Sequence, residues 1–470
     1  MLFYDPLFLI FFLVLYALYL AVAGRTARIY ALLIGSLVFY AWGEPIFVPI
    51  LLVSTVVDYA LSRKIAAPTG ARARKVLVAI GVASNLAILF FYKYTDFLIS
   101  NLNAVMAWSG LLPLPLLHIA LPIGVSFVVF EKITYLVDVN RGISRPPQRF
   151  SDYCLFVLFF PKLLAGPILK YHEMEQQIAS PPAFAFEDFW AGFTRFARGA
   201  FKKLLIADPV GHCADQIFGA DPYGLGFGSA WLGLVCFTLQ IYFDFSGYSD
   251  MAIGLARMFG FRLRENFNMP YVAQSLTEFW QRWHISLTTW IRDYLYIPLG
   301  GNRVGEFKTY RNLWICFLLS GLWHGASWNF VLWGAYNGLF LTLDRMFLKH
   351  ALARSGTLVA TGTTLLIVMI GWAIFRSPTL AHLGGYFAAL AGATPAAVAI
   401  TIDRDVQLTI VLGAILSLLP ATRLYPPLQR LWSAASWPHV LANGGYVLLY
   451  VVAQSRAFAV PFQPFIYFRF

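Results

Sequence analysis

Residues 312–343 read NLWICFLLSGLWHGASWNFVLWGAYNGLFLTL, thirty-two positions with one histidine, His324, and no formally charged side chain. As one straight helix at ~1.5 Å per residue the run would be about 48 Å long, against a hydrocarbon core of roughly 30 Å. It is too short for two full spans. A broken or strongly tilted element fits better, with Gly321, Gly325 and Ser327 as the weak point. Arg311 stands just before the run, and roughly 20 Å of helix separates it from His324. With Arg311 at one interface, His324 lies deep in the bilayer. An imidazole there is costly unless it is paired or used, which makes it the first candidate for function.

The rest of the chain agrees with a membrane setting. Of 470 residues, 59% are hydrophobic, 17% aromatic and only 12% charged; the mean hydropathy is +0.66. No single soluble core hides that much apolar surface, so soluble enzyme folds are excluded. The expected fold is all-α: a polytopic integral membrane protein of roughly 10–12 transmembrane helices, with broken or re-entrant and interfacial helices besides. Met1–Ala23 lacks a basic leader and carries Asp5 and Pro6, so it reads as a first span that stays. One membrane domain over 1–470, with an aromatic tail at 461–470, is the economical reading.

The net charge is +12. Lysines and arginines gather between apolar runs: Arg25 and Arg28; Arg63, Lys64, Arg72, Arg74 and Lys75; Arg141, Arg145 and Arg149; then Arg257 to Arg311. This is the positive-inside pattern, not a nucleic-acid footprint. It places the N-terminus outside and the 63–75 loop in the cytoplasm. The same loops suit a polyphosphorylated donor. The four cysteines (Cys154, Cys213, Cys236, Cys316) are scattered with no CxxC, so neither a disulfide nor a metal is expected.

Spans are expected near 7–23, 29–43, 46–62, 76–92 and 115–137. Residues 152–170 are interrupted by Pro161, Gly166 and Pro167, as in a broken or re-entrant helix that protein must bury. Residues 184–207 are amphipathic, with Arg195, Arg198, Lys202 and Lys203. A span over 229–243, a charged segment to 311 and the His324 run follow, then spans near 358–375, 406–420 and 439–453. The Ala/Gly-rich stretch 377–400 is expected along the interface.

A second histidine stands in Thr277–Arg303, TEFWQRWHISLTTWIRDYLYIPLGGNR. On helical spacing Trp280, Trp283, Leu287, Trp290 and Tyr294 share one face, and Thr277, Gln281, His284 and Thr288 another. The aromatic density suits an interfacial helix with a polar edge. Two histidines, one shallow and one deep, permit general acid–base work. No Gly-x-Ser-x-Gly elbow, carboxylate triplet or HExxH accompanies them. Asn329 and Asn337 flank His324; they orient the ring, donate to an oxyanion, or serve as hydrogen-bond glue between helices. Asp244 and Asp250, in YFDFSGYSDMAIG, read as structural carboxylates paired with Arg257 or a hydroxyl network.

These residues resemble the membrane-bound O-acyltransferases, in the branch typified by the membrane subunit of bacterial alginate O-acetyltransferase. The resemblance runs nearly end to end: FYAWGEP at Phe39–Pro45, LPIGVSFVVFEKITYLVDVNRG at Leu121–Gly142, FFPKLLAGPI at Phe159–Ile168, DFSGYSDMAIG at Asp244–Gly254, IPLGGNR at Ile297–Arg303, Trp323–Ser327, Trp333–Gly334 and GWAIFR at Gly371–Arg376. It implies that His324 matches the family's catalytic histidine and His284 the second histidine of the branch; Trp323 and Gln281 are expected as supporting residues beside them. It further implies acetyl transfer from cytosolic acetyl-CoA, with no permanently bound cofactor, towards an exported or cell-wall polysaccharide, alginate-like in kind. A separate extracytoplasmic esterase-like partner makes the final transfer in many such systems. His324 is then expected as general base on the acceptor hydroxyl, with His284 placing the thioester or the histidine network. A bacterial cytoplasmic membrane is the expected location.

The chain ends in FQPFIYFRF. A short aromatic tail anchors at the interface in the simplest reading. It is also similar to a terminal motif of this branch, which in D-alanyl transfer to teichoic acid sits on a small separate partner. Tyr467 offers a hydroxyl for a transient acyl ester, while Arg469 departs from the glutamine or acidic residue expected there. D-alanyl transfer from a carrier protein and acylation of another secreted acceptor are the alternatives within the family. A transporter or channel with His324 as proton relay predicts inverted repeats, which the sequence lacks.

Overall fold

The structure is a computed structural model that describes residues 3–68, 70–395, 400–422, 424–426, 436–459 and 464–468. The described residues are helical with no strand, and the chain divides into two compact units: residues 1–193 with 252–264, and 194–251 with 265–470. Four described helices are long and apolar enough to cross a membrane: Arg25–Gly43, Ala71–Trp108, Thr357–Arg376 and Arg404–Ala421.

The first unit begins with α1 (Pro6–Ala21), whose Asp5 cap accepts the Leu7 N–H, and α2 (Arg25–Gly43) and α3 (Phe47–Ala66) follow. Helix α4 (Ala71–Trp108) has 38 residues, about 57 Å at ~1.5 Å each. The span expected at 115–137 is shorter and later: α5 is Val125–Asn140, and 111–122 has no regular secondary structure. Pro113, Pro115 and Pro122 remove donors that a helix needs. The polar end of α4 holds this segment instead, with Asn103 bonded both ways to Leu114 and Asp96 accepting the N–H groups of Leu117 and Ile119. The interruption expected in 152–170 is present: α6 (Phe150–Leu158) stops, α7 (Phe160–Leu163) restarts, and the Phe160 N–H at the break donates to Ser36. Buried charges here are paired, Lys132 with Asp58 at 3.2 Å and Lys162 with Glu131, as burial of charge requires. Helices α8 (Tyr171–Ala179) and α9 (Phe186–Phe201) follow.

In the second unit a π-turn over Lys202–Ala207 leads from α9 to α10 (Asp208–Gly219). Helix α11 (Phe227–Met258) runs well past the span expected at 229–243. Its carboxylates do not end it because cations meet them. Asp250 bonds Arg195 and Lys202 at 2.6 and 2.7 Å, and Asp244 lies 2.9 Å from Lys203. Arg257, the partner expected from sequence, pairs with Asp188 instead. The helix expected over 277–303 breaks in two, α12 (Leu276–Arg282) and α13 (Ile285–Ile291), followed by a π-turn over Arg292–Tyr296. The single aromatic face read from spacing therefore does not exist as one face.

Helices α14 (Glu306–His324) and α15 (Trp328–Leu343) form an antiparallel hairpin, broken where the glycines predict. The two backbones pass so closely that a Cβ at Gly321 would overlap the Phe330 carbonyl, and one at Gly334 the Phe317 carbonyl. Small residues at such crossings are what membrane helix pairs use. Helices α16 (Lys349–Ser355), α17 (Thr357–Arg376), α18 (Leu380–Leu390), α19 (Arg404–Leu418) and α20 (Ser436–Ala459) follow, then a turn at Ile466–Phe468. The remainder of the aromatic tail, Arg469 included, lies outside the described residues.

Candidate active site

His324 is the last residue of α14. Gly325 is extended (φ −166°, ψ 152°) and ends the helix. A side chain at Gly325 would run into the Phe330 ring, so the sharp exit depends on glycine. The buried imidazole is caged by aromatic rings, met near right angles by Trp323 at 4.9 Å, Trp333 at 5.1 Å and Phe375 at 5.3 Å between centroids.

His284 occupies the break between α12 and α13 with φ 42° and ψ 55°, a left-handed conformation uncommon outside glycine. Asn266 holds it there. The Asn266 carbonyl accepts the Ile285 N–H at 2.9 Å. Its side-chain Oδ1 meets three groups: the Ser286 N–H at 3.2 Å, the Ser286 hydroxyl at 2.9 Å and His284 Nδ1 at 3.1 Å. The backbone N–H only donates, which fixes the orientation of the amide. Asn266 Nδ2 then donates to Ser249 Oγ at 3.1 Å. A neutral His284 therefore carries its proton on Nδ1 and presents a lone pair on Nε2.

Tyr467 joins the two histidines. Its ring centroid is 5.8 Å from that of His324 and 6.3 Å from that of His284. Phe245 of α11 supports it at 4.1 Å and also meets His284 edge-on at 4.7 Å. Trp323 lies 6.1 Å from His284 and completes the ring of contacts. Three residues from separate segments of the chain thus share one aromatic cluster.

Asn329 donates to the Ser377 carbonyl at 2.8 Å, tying α15 to the end of α17, and Asn337 donates to the Trp333 carbonyl one turn back. Asn329 thus ties two helices together, and Asn337 bonds within its own helix. Gln281 lines a separate cavity of about 760 Å³, together with Trp280, Phe317 and Ser320. Arg292, Arg345, Lys349 and His350 also line this cavity. Ser320 is one turn before His324, and Trp280 packs at 5.7 Å on Trp333, which itself touches His324. The cavity and the histidine cage therefore share a wall. Among the described residues no group of His, Cys, Asp or Glu has the arrangement of a metal site. Sequence reading missed Asn266, Ser286, Phe245 and Phe375 as site residues. Phe245, Ser286 and Phe375 stand in stretches quoted above, but nothing there singles them out, and only the folded chain brings all four to the histidines.

A histidine at the break of a helix pair, a second histidine at a left-handed turn and a tyrosine ring packed on both are groups that acyl-transfer chemistry can use. The chain belongs to the membrane-bound O-acyltransferase family, whose family model matches residues 117–375; it is an integral membrane O-acyltransferase. It is 38% identical over the whole of both chains to a probable alginate O-acetylase of Pseudomonas putida. It is 37% identical to a peptidoglycan O-acetyltransferase of Helicobacter pylori, over 74% of this chain and 71% of the other. A teichoic acid D-alanyltransferase of Bacillus subtilis is 25% identical over 55% of this chain and 70% of its own length.

Proposed function

We propose that this enzyme takes acetyl from cytosolic acetyl-CoA and passes it through Tyr467 to the hydroxyl of an exported, alginate-like polysaccharide. The observation that carries the reading is the Tyr467 ring between the two histidine rings, at 5.8 and 6.3 Å. In the first step His324 takes the phenolic proton and the Tyr467 oxygen attacks the thioester carbonyl. The carbon–sulfur bond breaks, and the departing thiolate takes the proton back from His324 as free CoA. In the second step an acceptor hydroxyl attacks the tyrosine ester, its proton passes to the imidazole, and the phenol is restored. His284, its Nδ1 held by Asn266, packs edge-on against the Tyr467 ring and helps keep the phenol in place beside His324.

The cavity beside Trp280 supports a CoA donor. Its apolar wall suits a pantetheine arm, and Arg292, Arg345, Lys349 and His350 suit its phosphates. The relatives act, by name, on alginate, peptidoglycan or teichoic acid, so a polysaccharide acceptor is the common element. An esterase-like partner outside the membrane receives the acetyl group or presents the glycan. The basic loops favour a bacterial inner membrane with the N-terminus outside.

The experiment is incubation of the purified protein with isotopically labelled acetyl-CoA, followed by mass spectrometry. Label on Tyr467 that requires His324 is the expected result. CoA release on addition of glycan or partner, with Tyr467 unlabelled, would remove the relay and keep the transferase. No CoA release in any combination would replace acetyl-CoA by a carrier-protein donor, as in D-alanyl transfer.

A further inference from the structure

Beneath the tail lies a set of buried charges that the reaction scheme does not use. Asp244, on α11, is 1% exposed. Its Oδ1 is 2.9 Å from Lys203 Nζ, and the same Nζ is 2.6 Å from Asp208 Oδ1. The other oxygen of Asp244, Oδ2, accepts the backbone N–H of Ile466 at 2.6 Å. The next residue is Tyr467. Phe245 and Tyr248 complete the seat, with Phe245 4.1 Å from Tyr467 and Tyr248 4.6 Å from Phe465.

A carboxylate in an apolar interior persists only when it is paired and hydrogen-bonded. Lys203 supplies the pair, which leaves Oδ2 for the tail. A hydrogen bond from a neutral amide to a charged oxygen is about twice as strong as a neutral one, and it is directional. Ring stacking alone holds the tail against α11 but lets it slide. The bond to a main-chain N–H fixes the backbone one residue before the tyrosine and so fixes where the phenol lies.

We propose that Asp244, paired with Lys203, is a positioning residue that latches the C-terminal turn through the Ile466 amide and sets Tyr467 between His324 and His284. This rests on Tyr467 as the acyl carrier. Asp244 touches no reacting atom; it acts through the tail.

The test uses the full chain in detergent. Ile466→Pro deletes the donor and leaves the Asp244–Lys203–Asp208 cluster intact, while Ile466→Val keeps the donor. Asp244→Ala removes the acceptor. Hydrogen exchange is read in peptides from 464–470 and, as a folding control, from 306–343. Release of free CoA from acetyl-CoA in the presence of glycan is read separately as kcat and KM. In Ile466→Pro and Asp244→Ala the tail exchanges faster, the hairpin is unchanged, kcat falls about 100-fold and KM stays put, as expected for a reacting group displaced by an ångström. Ile466→Val behaves as the parent. Faster tail exchange with unchanged kcat would overturn the positioning role, and unchanged tail exchange in Ile466→Pro would overturn the latch. Absence of label on Tyr467 in the parent protein would instead remove the acyl-carrier reading, and the exchange comparison would still decide whether the latch exists.

Discussion

Nδ1 of His284 lies 3.1 Å from Oδ1 of Asn266, an oxygen whose orientation is fixed by the Ser286 N–H that it also accepts. Asn266→Ala therefore frees the tautomer and the left-handed turn together. Transfer is expected to fall by about 10²-fold or more, within the range for general acid–base groups. The Ser286 donors left unpaired cost about 1–3 kcal/mol of stability. Steady-state kinetics beside a thermal melt checks both.

His324→Ala is expected to lower acetyl transfer by about 10²–10⁴-fold while the protein still elutes as a single folded species. The aromatic cage around the ring is apolar and closes on the smaller residue without leaving a buried charge. Size-exclusion profile and radiolabel transfer are the measurements, and normal turnover would remove His324 from the reaction.

Tyr467→Phe keeps the ring against Phe245 and deletes only the hydroxyl. A tail that merely anchors is unaffected by this change. A tail that carries acetyl loses both its label and overall transfer to the glycan.

The helix hairpin makes a steric prediction. Gly334→Val places a side chain on the Phe317 carbonyl and is expected to destabilise by about 1–3 kcal/mol. Gly338→Ala meets nothing closer than the Trp314 ring at 3.4 Å and is tolerated. Melting temperatures in one detergent compare the two.

Arg345→Ala and Lys349→Ala at the cavity are expected to raise KM for acetyl-CoA about 10-fold or more, as for a lost charge-assisted hydrogen bond, with kcat nearly unchanged. Raised salt acts in the same direction on the parent protein. Equal KM in parent and variants would move the phosphates elsewhere.

Much of this was legible in the sequence. The apolar run around His324 announces a broken element because it is too long for one span and too short for two; the structure breaks it at Gly325–Ser327, while Gly321 stays inside α14. His284 was visible as a residue but not as a conformation. Helical spacing assumes regular dihedrals, and the left-handed turn at His284 is imposed by Asn266, 18 positions away. The length of α11 was hidden for a related reason. Asp244 and Asp250 look like a helix end until Lys203, Arg195 and Lys202 arrive from another part of the chain. Local pattern reports what a segment buries; it does not report which distant partner makes a costly residue tolerable.

Helix α20 ends at Ala459, and Tyr467 follows eight residues later. Fully extended, that leash reaches at most about 29 Å, no more than the roughly 30 Å thickness of the hydrocarbon core. A carrier on so short a leash stays close to the end of α20, so in the proposed relay the acceptor or its partner has to come to the docked tyrosine.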